Sequence, residues 1–161
     1  MRDQVFTFSR TIIFLGRWFD LYDSIVLPTD GSEGTENAVT HALELAENFD
    51  SKLHVINVVD VRNFYDGVNW EEVLQDVELK GGEIVGEIVQ KAEDRGIEAD
   101  QKVIRGIPHQ EINDYAEEEN ADLVVIGSHG RKGLERMLLG SVTEKVLRTS
   151  ERPVLTVGLE D

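Results

Sequence analysis

Five short runs rich in apolar and β-branched residues alternate along this chain with stretches that repeat on a helical period, and this alternation restricts the fold more than any other feature. The runs lie at residues 22–28, 53–59, 97–105, 121–126 and 153–157. After the first, Ala38, Val39, Ala42, Leu45, Ala46 and Phe49 share one helical face. A second helix is expected over residues 70–95, burying Val73, Val77, Ile84, Ile88 and Ala92. Gly81-Gly82 should weaken or bend it, and Gly96 should end it. Gly106-Ile107-Pro108 opens the next, running to about residue 119, because proline is tolerated in a first turn. The last helix is expected over 141–148.

The run at 53–59 is apolar on both faces except at His54 and Asn57, the pattern of a parallel strand covered by helices on both sides. The run at 97–105 is more polar and suits an edge; the run at 121–126 is the most apolar and suits the centre. Strict alternation with short connections predicts an α/β fold: a doubly wound, Rossmann-like, five-stranded parallel sheet with helices on both faces. The order 3-2-1-4-5 is expected, though a flavodoxin-like order is the alternative.

The chain has 161 residues, which suits one domain, assigned to 21–161. Residues 1–20 stand apart. They mix Phe6, Phe8, Ile12, Ile13, Phe14, Leu15, Trp18 and Phe19 with three arginines, and Arg17 and Trp18 interrupt any signal-like core. The expectation is an extension outside the domain, from a start site set too early. The alternative is an amphipathic arm that docks on the domain or on a partner. Apolar runs of four or five residues fall far short of the roughly 20 that span a bilayer. The absence of cysteine excludes disulfides and thiolate metal sites and fits a cytoplasmic location.

The net charge of −16 opposes contact with nucleic acid or an acidic membrane. It reads as solvation, with a high-salt cytoplasm as one source. The charge is uneven, however. Residues 127–150 carry Arg131, Lys132, Arg136, Lys145 and Arg148 against Glu135 and Glu144, a net of +3 in an acidic protein. An anion site needs such a patch.

With the order 3-2-1-4-5, the strand order reverses between the first and fourth strands, where ligands bind in open parallel sheets. The loops there are 28–32 and 127–140. The second holds Gly127, Gly130 and Gly140, with Ser141, Val142 and Thr143 opening a helix. Glycines expose main-chain N–H groups, and a helix N-terminus attracts anions. Two structural readings compete: Ser141 and Glu144 match a capping box, and the glycines suit ordinary turns. Asp30 equally serves a ribose hydroxyl or, with Ser32, caps a helix.

From residue 22 to residue 157 the chain resembles the universal stress protein family. Its nucleotide-binding branch carries Gly-x2-Gly-x9-Gly-Ser/Thr, matched by Gly127, Gly130, Gly140 and Ser141. Pro28-Thr29-Asp30-Gly31-Ser32, Gly106-Ile107-Pro108 and Leu139-Gly140-Ser141-Val142-Thr143 agree as well. The resemblance implies an adenine nucleotide alpha hydrolase-like domain that binds ATP or another adenine nucleotide. It implies that Asp30 meets the adenosine, with Pro28 and Thr29 shaping its pocket and Val55 lining the adenine site. Ile126 and Gly127 would lie against the nucleoside, and Gly130, Gly140, Ser141, Val142 and Thr143 would hold the phosphates, often with a divalent ion such as Mg or Mn. It also implies a homodimer through the last strand and a stress-response role.

Binding is not turnover. The P-loop pattern is absent, and no base or metal-ligand spacing stands beside the glycine loop; His129 reads as a solvated loop histidine, and His41, His54 and His109 are scattered. A nucleotide-binding signalling module with at most slow hydrolysis is therefore expected. The competing reading is an ATP-dependent transferase or hydrolase whose substrate docks near Arg131 and Lys132.

Overall fold

Alternate side chains of a strand point to opposite faces, so the apolar strands of this chain supply two cores at once. The structure, a computed structural model, describes residues 21–63, 70–128 and 139–158. Its strands are β1 (Ser24–Pro28), β2 (Lys52–Asp60), β3 (Ala99–Gly106), β4 (Leu123–Gly127) and β5 (Val154–Val157). Helices α1 (Glu33–Phe49), α2 (Trp70–Glu93), α3 (Pro108–Glu118) and α4 (Ser141–Thr149) alternate with them, and a 3-10 turn, Val61–Asn63, follows β2. Every pairing is parallel and the order is β3-β2-β1-β4-β5, as expected.

On one face Ile25, Leu27, Val55 and Val125 meet Ala38, Ala42 and Leu43 of α1 and Val85, Ile88 and Ala92 of α2. On the other, Val26, Ile56, Val124 and Ile126 meet Ile112, Tyr115 and Ala116 of α3 and Val146 of α4. At the amino end of the sheet, the N–H groups of Asp23 and Ser24 donate to Asp122 Oδ2 at 2.9 and 3.0 Å and tie β1 to β4.

The two sheet edges differ. β3 exposes Gln101, Lys102 and Arg105, and the Arg105 guanidinium pairs with Glu78 of α2, Nη2 donating to Oε2 at 2.7 Å. β5 has four residues, with Leu155 exposed. Beneath α3 a polar chain runs from the buried Tyr115 and His54 out to the part-exposed Asp100 and Lys52. His54 Nδ1 is 2.8 Å from Asp100 Oδ1, Lys52 Nζ is 2.9 Å from Asp100 Oδ2, and the Tyr115 hydroxyl is 3.4 Å from His54 Nδ1. Burial first, then the charges of Asp100, Glu119 and Glu118, push the Tyr115 phenol up to about 12.

One expectation is corrected and three are sharpened. Val73 is 52% exposed, because the buried stripe of α2 begins at Leu74 and runs through Gly81, Val85, Ile88 and Ala92; Ile88 and Ala92 are buried as expected, and Ile84 packs against the same core part-buried. α2 runs without a break through Gly81-Gly82, so tertiary packing carries the helix past their weak local propensity. Leu45 packs against the core part-buried, and Leu43 joins the same face fully covered. β4 is an interior strand and wholly buried, beside the middle strand β1; coverage on both faces, which both strands share, produces the apolar run. Gly96 does end the α2 turn, with φ +77°, and β3 is an edge.

Candidate functional site

β1 and β4 are neighbours in space, and the chain winds away from them in opposite directions, so a crevice opens at their carboxyl ends. The loop after β1 is a closed set of short bonds. Thr35 Oγ1 donates to Ser32 O at 2.9 Å, which leaves the Thr29 hydroxyl to donate to Thr35 Oγ1 at 3.0 Å. Thr29 Oγ1 then accepts the Gly31 N–H at 3.1 Å. Gly31 has φ +72°, the left-handed region that glycine enters without strain. Asp30 Oδ1 accepts the Ser32 N–H at 3.0 Å and the Ser32 hydroxyl at 2.6 Å. Asp30 thus orders the turn before α1 and is only half-buried. Ser32 is the N-cap residue of α1, yet its side chain makes no capping bond.

Pro28 and Thr29 are buried at the end of β1. Ile126 is 5% exposed and Gly127 is buried at the end of β4. Gly127 has a packing reason of its own. A Cβ there would stand 2.3 Å from Gly34 O and 3.2 Å from Thr35 Cα, so the first turn of α1 rests directly on it. Thr143 Oγ1, buried in α4, donates to Gly127 O at 2.7 Å and fixes the start of α4 to the same point. Ser128 N donates to Val157 O, and Gly140 N donates to Ser128 O, both at 2.7 Å, so the two ends of the glycine-rich loop meet at its base. Gly130, with His129, Arg131 and Lys132, lies outside the described residues.

The capping-box reading of Ser141 does not hold. Ser141 is the first helical residue, Gly140 is the N-cap, and among the described residues no side chain caps this end. Glu144 turns away: its Oε1 accepts from Arg148 Nη2 at 2.6 Å. No described residue accepts a hydrogen bond from the N–H of Ser141, Val142 or Thr143, the orphan donors of a helix start. They carry the positive end of the α4 dipole and suit an anion. Burial first, then the charges of Lys145 and Arg62, holds His109 at the start of α3 below its ordinary value. Lys145 of α4 and Arg62 of the 3-10 turn thus both act on His109, and Arg62 is itself paired with Asp60, Nη2 to Oδ2 at 2.7 Å. Among the described residues, no group of three or more His, Asp or Glu side chains is placed to hold a metal ion.

The structure brings Pro28, Thr29, Asp30, Ile126, Gly127, Gly140, Ser141, Val142 and Thr143 to one end of the sheet. Val55 is different. It pairs with Leu27 and Gln101 inside the sheet, and its side chain is 0% exposed in the core under α1 and α2. Sequence reasoning missed Thr35, Gly34 and Asn57, which shape the β1 loop. The one available signal was the polar Asn57 in a strand of valines and isoleucines.

Sheet order, crevice and uncapped helix together define a Rossmann-like α/β domain. Residues 21–158 match the sequence profile described as the universal stress protein family, and the chain belongs to that family. The universal stress protein MJ0531 of Methanocaldococcus jannaschii is 39% identical over 86% of this chain and 83% of its own length. The solved structure of MJ0577, from the same organism, superposes with a TM-score of 0.74 at 33% identity, covering 88% of this chain and 99% of that one. A universal stress protein solved in complex with cAMP has a TM-score of 0.60 at 26% identity, covering 86% of this chain and 98% of that one.

Proposed function

We propose that this protein is an adenine-nucleotide-binding universal stress protein, with ATP as the expected ligand, acting as a stress-response signalling module. The observation that carries the reading is the uncapped start of α4 opposite the β1 loop. There the N–H groups of Ser141, Val142 and Thr143, from which no described residue accepts, stand at the end of the sheet where the strand order reverses, and they support an anion at that point. The glycine spacing through Gly127, Gly130 and Gly140 supports it, as does the cAMP complex of a family relative. In this reading the phosphates lie at Gly130, Gly140, Ser141, Val142 and Thr143, and the adenosine lies toward Pro28, Thr29, Asp30, Ile126 and Gly127. A Mg or Mn ion would accompany the phosphates and screen their charge. Val55 contributes through the wall of the sheet, not through an exposed side chain.

The same reading places the protein in the cytoplasm as a homodimer joined through β5, whose outer edge is unpaired in the sheet. Titration calorimetry of the full chain with ATP, AMP and cAMP tests it. Saturable heat with ATP supports the proposal, and no heat with any of the three overturns it. A steady-state phosphate-release assay addresses the enzymatic alternative, which turnover above about 1 s⁻¹ would favour.

A further inference from the structure

The loop after β1 is held from beneath by one side chain. Pairing between β1 and β2 ends at Pro28 and Ile56. The Thr29 N–H still reaches Ile56 O at 2.9 Å, but the Thr29 carbonyl accepts from Asn57 Nδ2, at 2.8 Å. Asn57 is 6% exposed, and its immediate neighbours in β2 are Ile56 and Val58. An amide survives in such surroundings when its bonds are made.

Helix α2 is shaped to accommodate it. Glycine is a poor helix former, so Gly81 in mid-helix calls for a packing reason. A Cβ on Gly81 would stand 2.5 Å from Asn57 Oδ1 and 3.1 Å from its Cγ. Gly82, the next residue, has nothing within 4 Å of the same added atom. One turn further, Ile84 backs the loop itself: a Cβ on Gly31 would meet Ile84 Cδ1 at 2.8 Å. The same helix face thus supports both the amide and the turn that it holds.

We propose that Asn57 is a positioning residue, whose amide, seated against Gly81, fixes the Thr29 carbonyl and so sets the turn that carries Asp30 toward the nucleotide. The ligand in this statement rests on the nucleotide reading above; the clamp itself rests on the bonds within the fold. Asn57→Asp keeps the shape but sets an acceptor against the Thr29 carbonyl, so the turn loses its anchor. Gly81→Ala pushes the amide out of line. Gly82→Ala is the control.

The test pairs ATP calorimetry with amide hydrogen exchange at Gly31 and Ser32, whose N–H groups are bonded within the turn. Asn57→Asp is expected to weaken ATP binding at least tenfold and to speed exchange at both amides. Gly81→Ala should act in the same direction, and Gly82→Ala should leave both readouts unchanged. A folded Asn57→Asp protein with ATP affinity within twofold of the parent and unaltered exchange overturns the proposal. A merely structural role would lower thermal stability and leave affinity and exchange at the turn alone. If Asn57→Asp does not fold, Gly81→Ala decides on the same two readouts. If the parent binds no ATP, the nucleotide reading fails, and exchange at Gly31 and Ser32 still settles the clamp.

Discussion

Replacing Gly127 with alanine would add one carbon where β4 ends, at 2.3 Å from Gly34 O and 3.1 Å from Gly34 C. Ordinary contact needs about 3.5 Å, so the first turn of α1 and the end of β4 must separate by about 1 Å. Both walls are main chain, and no rotamer relieves the clash. Overpacking a well-filled site typically costs 1–3 kcal/mol, and a backbone wall puts this position near about 3. Alanine also narrows the unfolded ensemble, which returns about 0.4–1 kcal/mol. The expected net loss is about 2 kcal/mol. With a urea m-value of about 2 kcal/mol/M, the unfolding midpoint falls by about 1 M. Circular dichroism of the parent and variant in urea measures it. Gly82→Ala is the counterpart, with no atom within 4 Å, and should raise stability by about 0.5–1 kcal/mol through helix propensity. A Gly127→Ala protein as stable as the parent would refute the close-approach argument. So would equal losses at both glycines.

Two further outcomes are expected. Ser141→Ala should change the thermal midpoint little, by less than about 0.5 kcal/mol, because Ser141 is an exposed first helical residue and not a cap; a loss near the roughly 1 kcal/mol of a true N-cap would restore the capping reading. For Tyr115, the folded phenol lies at about 12, above its ordinary 10, so it favours the protonated, folded state. Its contribution is complete below pH 10 and is lost as pH rises through 10 to 12. Urea midpoints from pH 9 to 12 should therefore fall more steeply for the parent than for Tyr115→Phe, and equal slopes would contradict the burial of this hydroxyl.

Much of the architecture was readable because period-two and period-3.6 patterns are written in single residues. Val26 and Leu27 are adjacent and face opposite cores, which marks a strand covered on both sides. The phase of α2 was less readable, since valine at 73 and leucine at 74 are equally apolar and only the packed neighbours decide between them. At the candidate site, the glycine spacing was legible as a pattern, but its duties were not. The need for glycine at 127 arises from α1, distant in sequence, and no local signal announces a carbonyl 2.3 Å away. The capping box shows the opposite failure. Its residue types were present, but the helix began one residue earlier than the pattern assumes, so Ser141 fell inside the first turn. Asn57 was visible as a polar interruption, and its partner Thr29 became identifiable only when β1 and β2 were laid side by side.

The unequal flanks of the sheet bear on how copies of this chain can gather. β3 is fenced by Lys102 and the Glu78-bound Arg105, whereas β5 is brief and nearly chargeless, with Leu155 outward. Charge along a strand margin discourages another backbone from adding to it. Among the described residues, strand-margin charge thus opposes lateral joining on the β3 side and not on the β5 side. In the β5-joined pair proposed above, each chain would spend its open margin, and a closed pair of that kind has no free end from which a fibre can lengthen.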